Sequence, residues 1–347
     1  MFKLNAFWLG PFLLGTTALA GIGLSAVQQS RTFVRWLGLE SSHPLQAQEY
    51  QNAIAIRIDP DELFNGGPPM NGIPSIDEPT FVKAGESEFN EHAQVVGVVI
   101  NGEAKAYPLG ILNWHEIVND TVGGQSVSVT YCPLCDTAIA FERRNDTTFG
   151  VSGKLYQSCL VMYDRQDHSL FAQPWGLGII GEQINRTLPR LPLVKTTLGA
   201  WLKRYPQSLV LSTDTGFIRD YTQDPYQGYR VDQRIVFPVR NQTALSVSPK
   251  APLLYIWESD QQTPYNQFSG ASLAFEPAAI AERGQHVLSF QGRPLYLRWD
   301  EGLQTVHAER PNGRRLAVAT AYGFVYPAFF GQDAPIYPAS QAQPSDP

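Results

Sequence analysis

The sequence predicts a β-rich α+β protein, made of antiparallel hairpins with a few short helices. Three observations carry this. Apolar alternations are short and closed by turn pairs such as Asn101-Gly102, Asn145-Asp146, Gln291-Gly292 and Asn312-Gly313. The 26 prolines, 29 glycines and 12% aromatic residues favour strands and turns over long helices. No heptad or solenoid period runs through the 347 residues, a length that suits one large domain or two ordinary ones. With 43% apolar and 17% charged residues the chain is globular rather than disordered. Its net charge of -6 argues against broad nucleic-acid binding, which needs a basic face.

The segments follow in order. Lys3 precedes an uncharged run over 4–27, and Ala18-Leu19-Ala20 is a small-x-small cleavage pattern. Residues 1–27 are therefore a signal peptide or an N-terminal anchor, since the run is about long enough to span a bilayer. Both choices place the body outside the cytoplasm, as a periplasmic, secreted or membrane-anchored protein, with 4–27 as the membrane attachment. Residues 28–53 form a linker, 54–245 the main domain, 246–338 a C-terminal β extension and 339–347 a disordered tail. Within the main domain, 95–100 and 103–107 flank Asn101-Gly102, the pattern of a type I′ hairpin. Residues 109–118 carry a helical apolar stripe, with Asn113 and Glu116 facing outward. Strands are expected at 125–131, 137–143, 158–163 and 209–212, a helix around 198–202, and a loop over 214–230.

The chemistry centres on Cys132-Pro133-Leu134-Cys135, two of the chain's 3 cysteines, set between two strand-like runs. Thiols at this spacing can close a disulfide, bind a metal or exchange electrons. A thioredoxin-type pair opens a helix, whose N-terminus lowers the thiol pKa. Here Thr137-Ala138-Ile139-Ala140-Phe141 follows, which alternates like a strand, and no basic residue adjoins the pair. Strand, Cys-Pro-x-Cys and return strand form instead a metal knuckle, in which the residue after the second cysteine wants a positive φ; Asp136 stands there. One knuckle gives two ligands and a tetrahedral site needs more. Among 6 histidines, His115 lies nearest, on the helix before the cysteine strand. The predicted centre is Cys132, Cys135 and His115 around one transition metal ion, zinc, copper or iron. His168 and Cys159 are secondary candidates, although Cys159 lies in an apolar run and suits a buried small hydrophobe. Asp164 and Arg165 follow a strand end and are candidate catalytic residues. The alternative is a non-enzymatic cell-envelope interaction protein with a structural Cys132–Cys135 disulfide, as export would favour.

Several longer motifs carry a resemblance. Ala106-Tyr107-Pro108-Leu109, Ile111-Leu112-Asn113-Trp114-His115-Glu116-Ile117-Val118-Asn119-Asp120, Val129-Thr130-Tyr131-Cys132-Pro133-Leu134-Cys135 and Leu160-Val161-Met162-Tyr163-Asp164-Arg165 occur in this order. Over roughly 59–239 the chain resembles the bacterial and archaeal family known as domain of unknown function 3179. The resemblance implies an exported or membrane-attached protein and supplies no activity. His115, Cys132, Cys135, Asp164 and Arg165 match its pattern. Asp136 stands where that pattern mostly has Gly, Phe171 where it usually has Trp, and Cys159 where it has no cysteine, which lowers Cys159 as a shared ligand.

Overall fold

Short strands dominate. A computed structural model of the protein describes residues 57–59, 62–241, 248–259 and 267–338, all within one unit that begins at Ala53. The expected signal or anchor, linker and tail lie outside the described residues. Among the described residues no helix is long and apolar enough to cross a membrane. Twenty-one strands and five short helices are present among them, so the chain is the β-rich α+β protein expected.

Four sheets hold these strands. One five-stranded sheet runs, in spatial order, β1 (Leu63–Asn65), β8 (Phe149–Tyr156), β9 (Cys159–Asp164), β10 (Leu170–Ala172) and β11 (Leu177–Ile180). A second runs β13 (Leu193–Thr197), β3 (Gln94–Ile100), β4 (Glu103–Pro108), β14 (Leu209–Leu211) and β2 (Phe81–Lys83). The eight-stranded sheet runs β21 (Ile336–Tyr337), β16 (Gly270–Phe275), β15 (Pro252–Ser259), β20 (Ala319–Tyr322), β7 (Thr137–Glu142), β6 (Gln125–Cys132) and β5 (Ile117–Val122), with β12 (Arg190–Leu191) also on β7. A three-stranded sheet holds β17 (Gln285–Phe290), β18 (Arg293–Asp300) and β19 (Thr305–Glu309). The helices are α1 (Leu109–His115), α2 (Leu198–Arg204), α3 (Gln227–Val231), α4 (Pro277–Arg283) and α5 (Val325–Phe330).

The Asn-Gly hairpin forms as expected. β3 pairs with β4, and Asn101 and Gly102 take φ of 48° and 84°, the left-handed values a type I′ turn requires. The helix after it is shorter than the apolar stripe suggests. α1 ends at His115, Glu116 turns the chain with φ 58°, and β-branched Ile117 and Val118 enter β5 opposite Thr130 and Val129. Asn113 and Glu116, expected to face outward, are both buried. The C-terminal strands divide between two sheets, with β17–β19 in a sheet of their own. β15, β16, β20 and β21 complete the sheet of β5–β7, with Thr320 opposite Ala138.

Side-chain alternation then sets the layers. In β6, Val127, Val129 and Tyr131 enter one apolar cluster with Tyr107, Ile111 and Leu112. Strand period two sends Ser128, Thr130 and Cys132 to the opposite face. There Ser128 Oγ donates to Asn119 Oδ1 at 2.6 Å, and Gln173 Nε2 donates to Thr130 Oγ1 at 3.1 Å. This polar layer faces the sheet that holds β9. Trp175, Trp201 and Tyr163 are buried packing residues.

Candidate thiol centre

The β6–β7 hairpin turns through the cysteine pair. Cys132 ends β6, Cys135 N donates to Cys132 O at 3.3 Å, and Asp136 takes φ 53° before Thr137 opens β7. The positive φ expected after the second cysteine is therefore adopted by an aspartate. β20 clamps the turn from the side: Tyr322 N donates to Cys135 O at 2.8 Å, and Thr320 Oγ1 to Asp136 O at 2.9 Å.

The third cysteine arrives from the other sheet. β8 and β9 join through Gln157 and Ser158, with φ of 52° and 58°, so Cys159 pairs with Tyr156 at the mouth of a two-residue turn. That turn delivers Cys159 to the polar face of β6. The three thiols lie together as a row with Cys135 in the middle, interacting with Cys132 on one side and Cys159 on the other. All three are free and buried. Leu160 N also donates to Cys132 Sγ at 3.4 Å. Burial pushes all three thiols up, Cys159 to about 11, because a thiolate is costly without water or a cation.

Glu116 lies beside this row. It is 6% exposed, and its carboxyl is electrostatically coupled to Cys132 and Tyr226. No hydrogen bond from a described residue reaches that carboxyl, and burial pushes its pKa up to about 8. Ser158 Oγ and Gln173 Oε1 are fully buried without a hydrogen-bond partner among the described residues. Tyr226, at the N-cap of α3, and Tyr229 within it lie beside the thiols, with Tyr229 Oη donating to Leu134 O at 2.8 Å.

The other predicted site residues are placed differently. His115 is not turned toward the cysteines by its hydrogen bonds. Its Nδ1 meets Pro74 O at 2.7 Å, and its Nε2 meets Tyr221 Oη at 2.7 Å. A carbonyl only accepts, so Nδ1 carries the proton and Nε2 accepts from the tyrosine. Burial pushes the imidazole pKa down, in keeping with the neutral ring. Asp164 and Arg165 stand at the far end of β9, five residues of strand or about 17 Å from Cys159. Asp164 accepts from Thr147 Oγ1, Gln166 N and Gln183 Nε2, while Arg165 pairs with Asp77 and donates to Ser75 Oγ at 2.6 Å. Their side chains thus serve different partners. His168 stacks on Tyr163 with 5.9 Å between ring centroids, at that same end.

Among the described residues no group of three or more His, Cys, Asp or Glu side chains is arranged to hold a metal ion. The residues that sequence reasoning missed are Glu116, Tyr226, Tyr229 and Arg230. The last three have i, i+3 and i+4 spacing, the signature of one helix face.

The fold and this centre define a β-rich protein with a buried row of thiols between two sheets. The chain belongs to the family described as Protein of unknown function (DUF3179), whose model matches residues 70–336 and so takes in the C-terminal strands. No curated protein and no solved structure matches it.

Proposed function

We propose that this protein is a thiol redox protein of the extracytoplasmic space, with Cys132 and Cys135 cycling between dithiol and disulfide. The observation that carries this is the row of three thiols, with Cys135 in contact with both neighbours. In the balanced step, one Cys132 thiol and one Cys135 thiol give two protons and two electrons to a disulfide oxidant. One Sγ–Sγ bond forms, the oxidant's bond breaks, and two thiols leave. Cys159 touches Cys135 and offers a second partner for the same chemistry. An oxidising compartment, which the run over 4–27 favours, supplies such oxidants.

The test is a thiol count on denatured, alkylated protein after equilibration with oxidised and reduced glutathione. Three thiols in the reduced protein, falling to one on oxidation and returning with reductant, is the expected result. The change should vanish in Cys135→Ala, which removes the sulfur that both neighbours touch. Three thiols at every redox poise would overturn the reading. A disulfide that no poise reduces in the folded protein would instead mark the structural staple of an envelope interaction protein.

A second reading has one observation in its favour. The Leu160 N–H aimed at Cys132 Sγ suits a sulfur that carries negative charge, as in a zinc, copper or iron site. One equivalent of metal in anaerobically purified protein, lost in Cys132→Ala, would establish it over the redox reading.

A further inference from the structure

The most buried thiols lie under one of the least buried stretches of chain. Residues 213–234 cross above them as a strap that includes α3. Of these residues only Thr215 and Tyr221 are buried, and α3 has no buried residue at all. Ile218 is 98% exposed and Val231 79%. A segment with so little apolar burial sits at the low end of local stability.

Polar clasps hold the strap, and three of them come from consecutive residues of α1. Asn113 Nδ2 donates to Asp224 Oδ1 at 3.1 Å, Trp114 Nε1 to Gln223 O at 3.1 Å, and His115 Nε2 accepts from Tyr221 Oη. Arg230 makes the fourth clasp. Its guanidinium donates to Asp224 Oδ2 at 2.8 Å, Asn113 Oδ1 at 2.8 Å and Tyr131 Oη at 3.0 Å. Tyr131 in turn donates to Asp136 Oδ1 at 2.8 Å, so the chain of bonds ends on the residue after Cys135. Tyr229 adds its bond to Leu134 O, inside the turn itself.

Alongside the strap runs a cleft of about 990 Å³. Asn113, Asp136, Lys195, Asp224 and Arg230 line it, so the clasps form its wall and the knuckle part of its lining. We infer that residues 213–234 are a gate: Arg230 and Tyr229 latch it shut, and its opening joins the cleft to the thiols and admits the thiol or disulfide partner. This rests on the redox reading for its purpose but not for its test. The thiols are inaccessible in the closed form, whereas exchange needs a sulfur to be reached in line. Breaking polar clasps uncovers little apolar surface, so local opening needs no global unfolding.

The experiment is native-state alkylation of the fully reduced full-length chain with N-ethylmaleimide, read by mass spectrometry at each cysteine. Wild type should label slowly at Cys132 and Cys135, with a rate that barely depends on low urea. Arg230→Ala should label at least about tenfold faster, since it removes several charge-assisted hydrogen bonds. Tyr229→Phe, which removes one neutral bond and keeps the ring, should label a few fold faster and guards against a failure of Arg230→Ala to fold. Val287→Ser, an exposed change on β17, should leave the rate unchanged. Rates equal to wild type in both strap variants, or labelling that tracks global unfolding in urea, would overturn the gate. Alkylation needs no oxidant or metal, so the gate can stand if the redox reading falls, and the reverse.

Discussion

The two ends of β9 make the instructive contrast. At one end Asp164 is fully buried, and both its oxygens accept hydrogen bonds from Thr147, Gln166 and Gln183. At the other end Cys159 joins two more thiols beside Glu116, whose carboxyl no described residue hydrogen-bonds. Both ends are polar and buried. Their difference lies in satisfaction. A fully bonded carboxylate fixes a fold, whereas buried groups left with weak partners cost stability and persist where chemistry uses them. Asp164 and Arg165 are accordingly supports for the turn after β9, and the thiol end is the candidate site.

This contrast can be broken by measurement. The largest effect should be on thiol chemistry: Cys135→Ala removes the middle sulfur, so oxidation should leave two thiols uncrosslinked by the thiol count. A Cys132–Cys159 bond forming in its place would show that Cys135 is not the middle sulfur of the row. Next comes pH. Glu116 has a folded pKa raised to about 8, above the ordinary carboxyl value of 4.5. Between these values the unfolded chain has lost the proton that the folded protein keeps. Stability is therefore full below about pH 4.5 and falls as pH rises toward 8, by on the order of 5 kcal/mol in all. Glu116→Gln should flatten that slope in urea unfolding series across the window. An unchanged slope would mean that the carboxyl is solvated or bonded after all.

At the opposite end, Asp164→Ala should lower unfolding free energy by about 3 kcal/mol, because it takes the carboxylate from two buried donors, Thr147 and Gln183. The thiol count should not move, and a shift in it would erase the division between the two ends. Arg165→Ala should cost about 1 kcal/mol, since its partner Asp77 is 38% exposed and the ion pair is screened. Smallest is Gly110→Ala in α1. Alanine suits a helix better than glycine, yet a Cβ here would sit 3.0 Å from Tyr221 O in the strap. Alkylation should quicken slightly while stability stays within about 0.5 kcal/mol of wild type.

Much of the β architecture was legible because the turn chemistry is explicit. Asn101-Gly102 and Gln291-Gly292 name their hairpins, and the alternation in β6 and β7 names their faces. Where a tight turn lacks such residues it stayed hidden. Gln157-Ser158 makes a left-handed turn with neither Gly nor Asn, so the strand over 158–163 is expected but nothing local announces the tight turn that brings Cys159 to the cysteine pair. Glu116 was hidden for the same reason. A helical stripe continues through Ile117 and Val118, and only the positive φ at Glu116 breaks it and turns its carboxyl inward. His115 stands out in the sequence as one of few histidines, but its carbonyl and tyrosine partners lie 41 and 106 residues away along the chain.

By itself the sequence determined the fold class, the family resemblance and the Cys132–Cys135 turn, since these rest on residue types and short spacings. Only the tertiary structure decided that Cys159 completes the row, that Glu116 is buried against it and that Asn113, Trp114 and His115 hold a strap. Those facts depend on which strands meet across two sheets. Sequence spacing cannot encode that meeting, because burial and long-range pairing are properties of the whole packed chain.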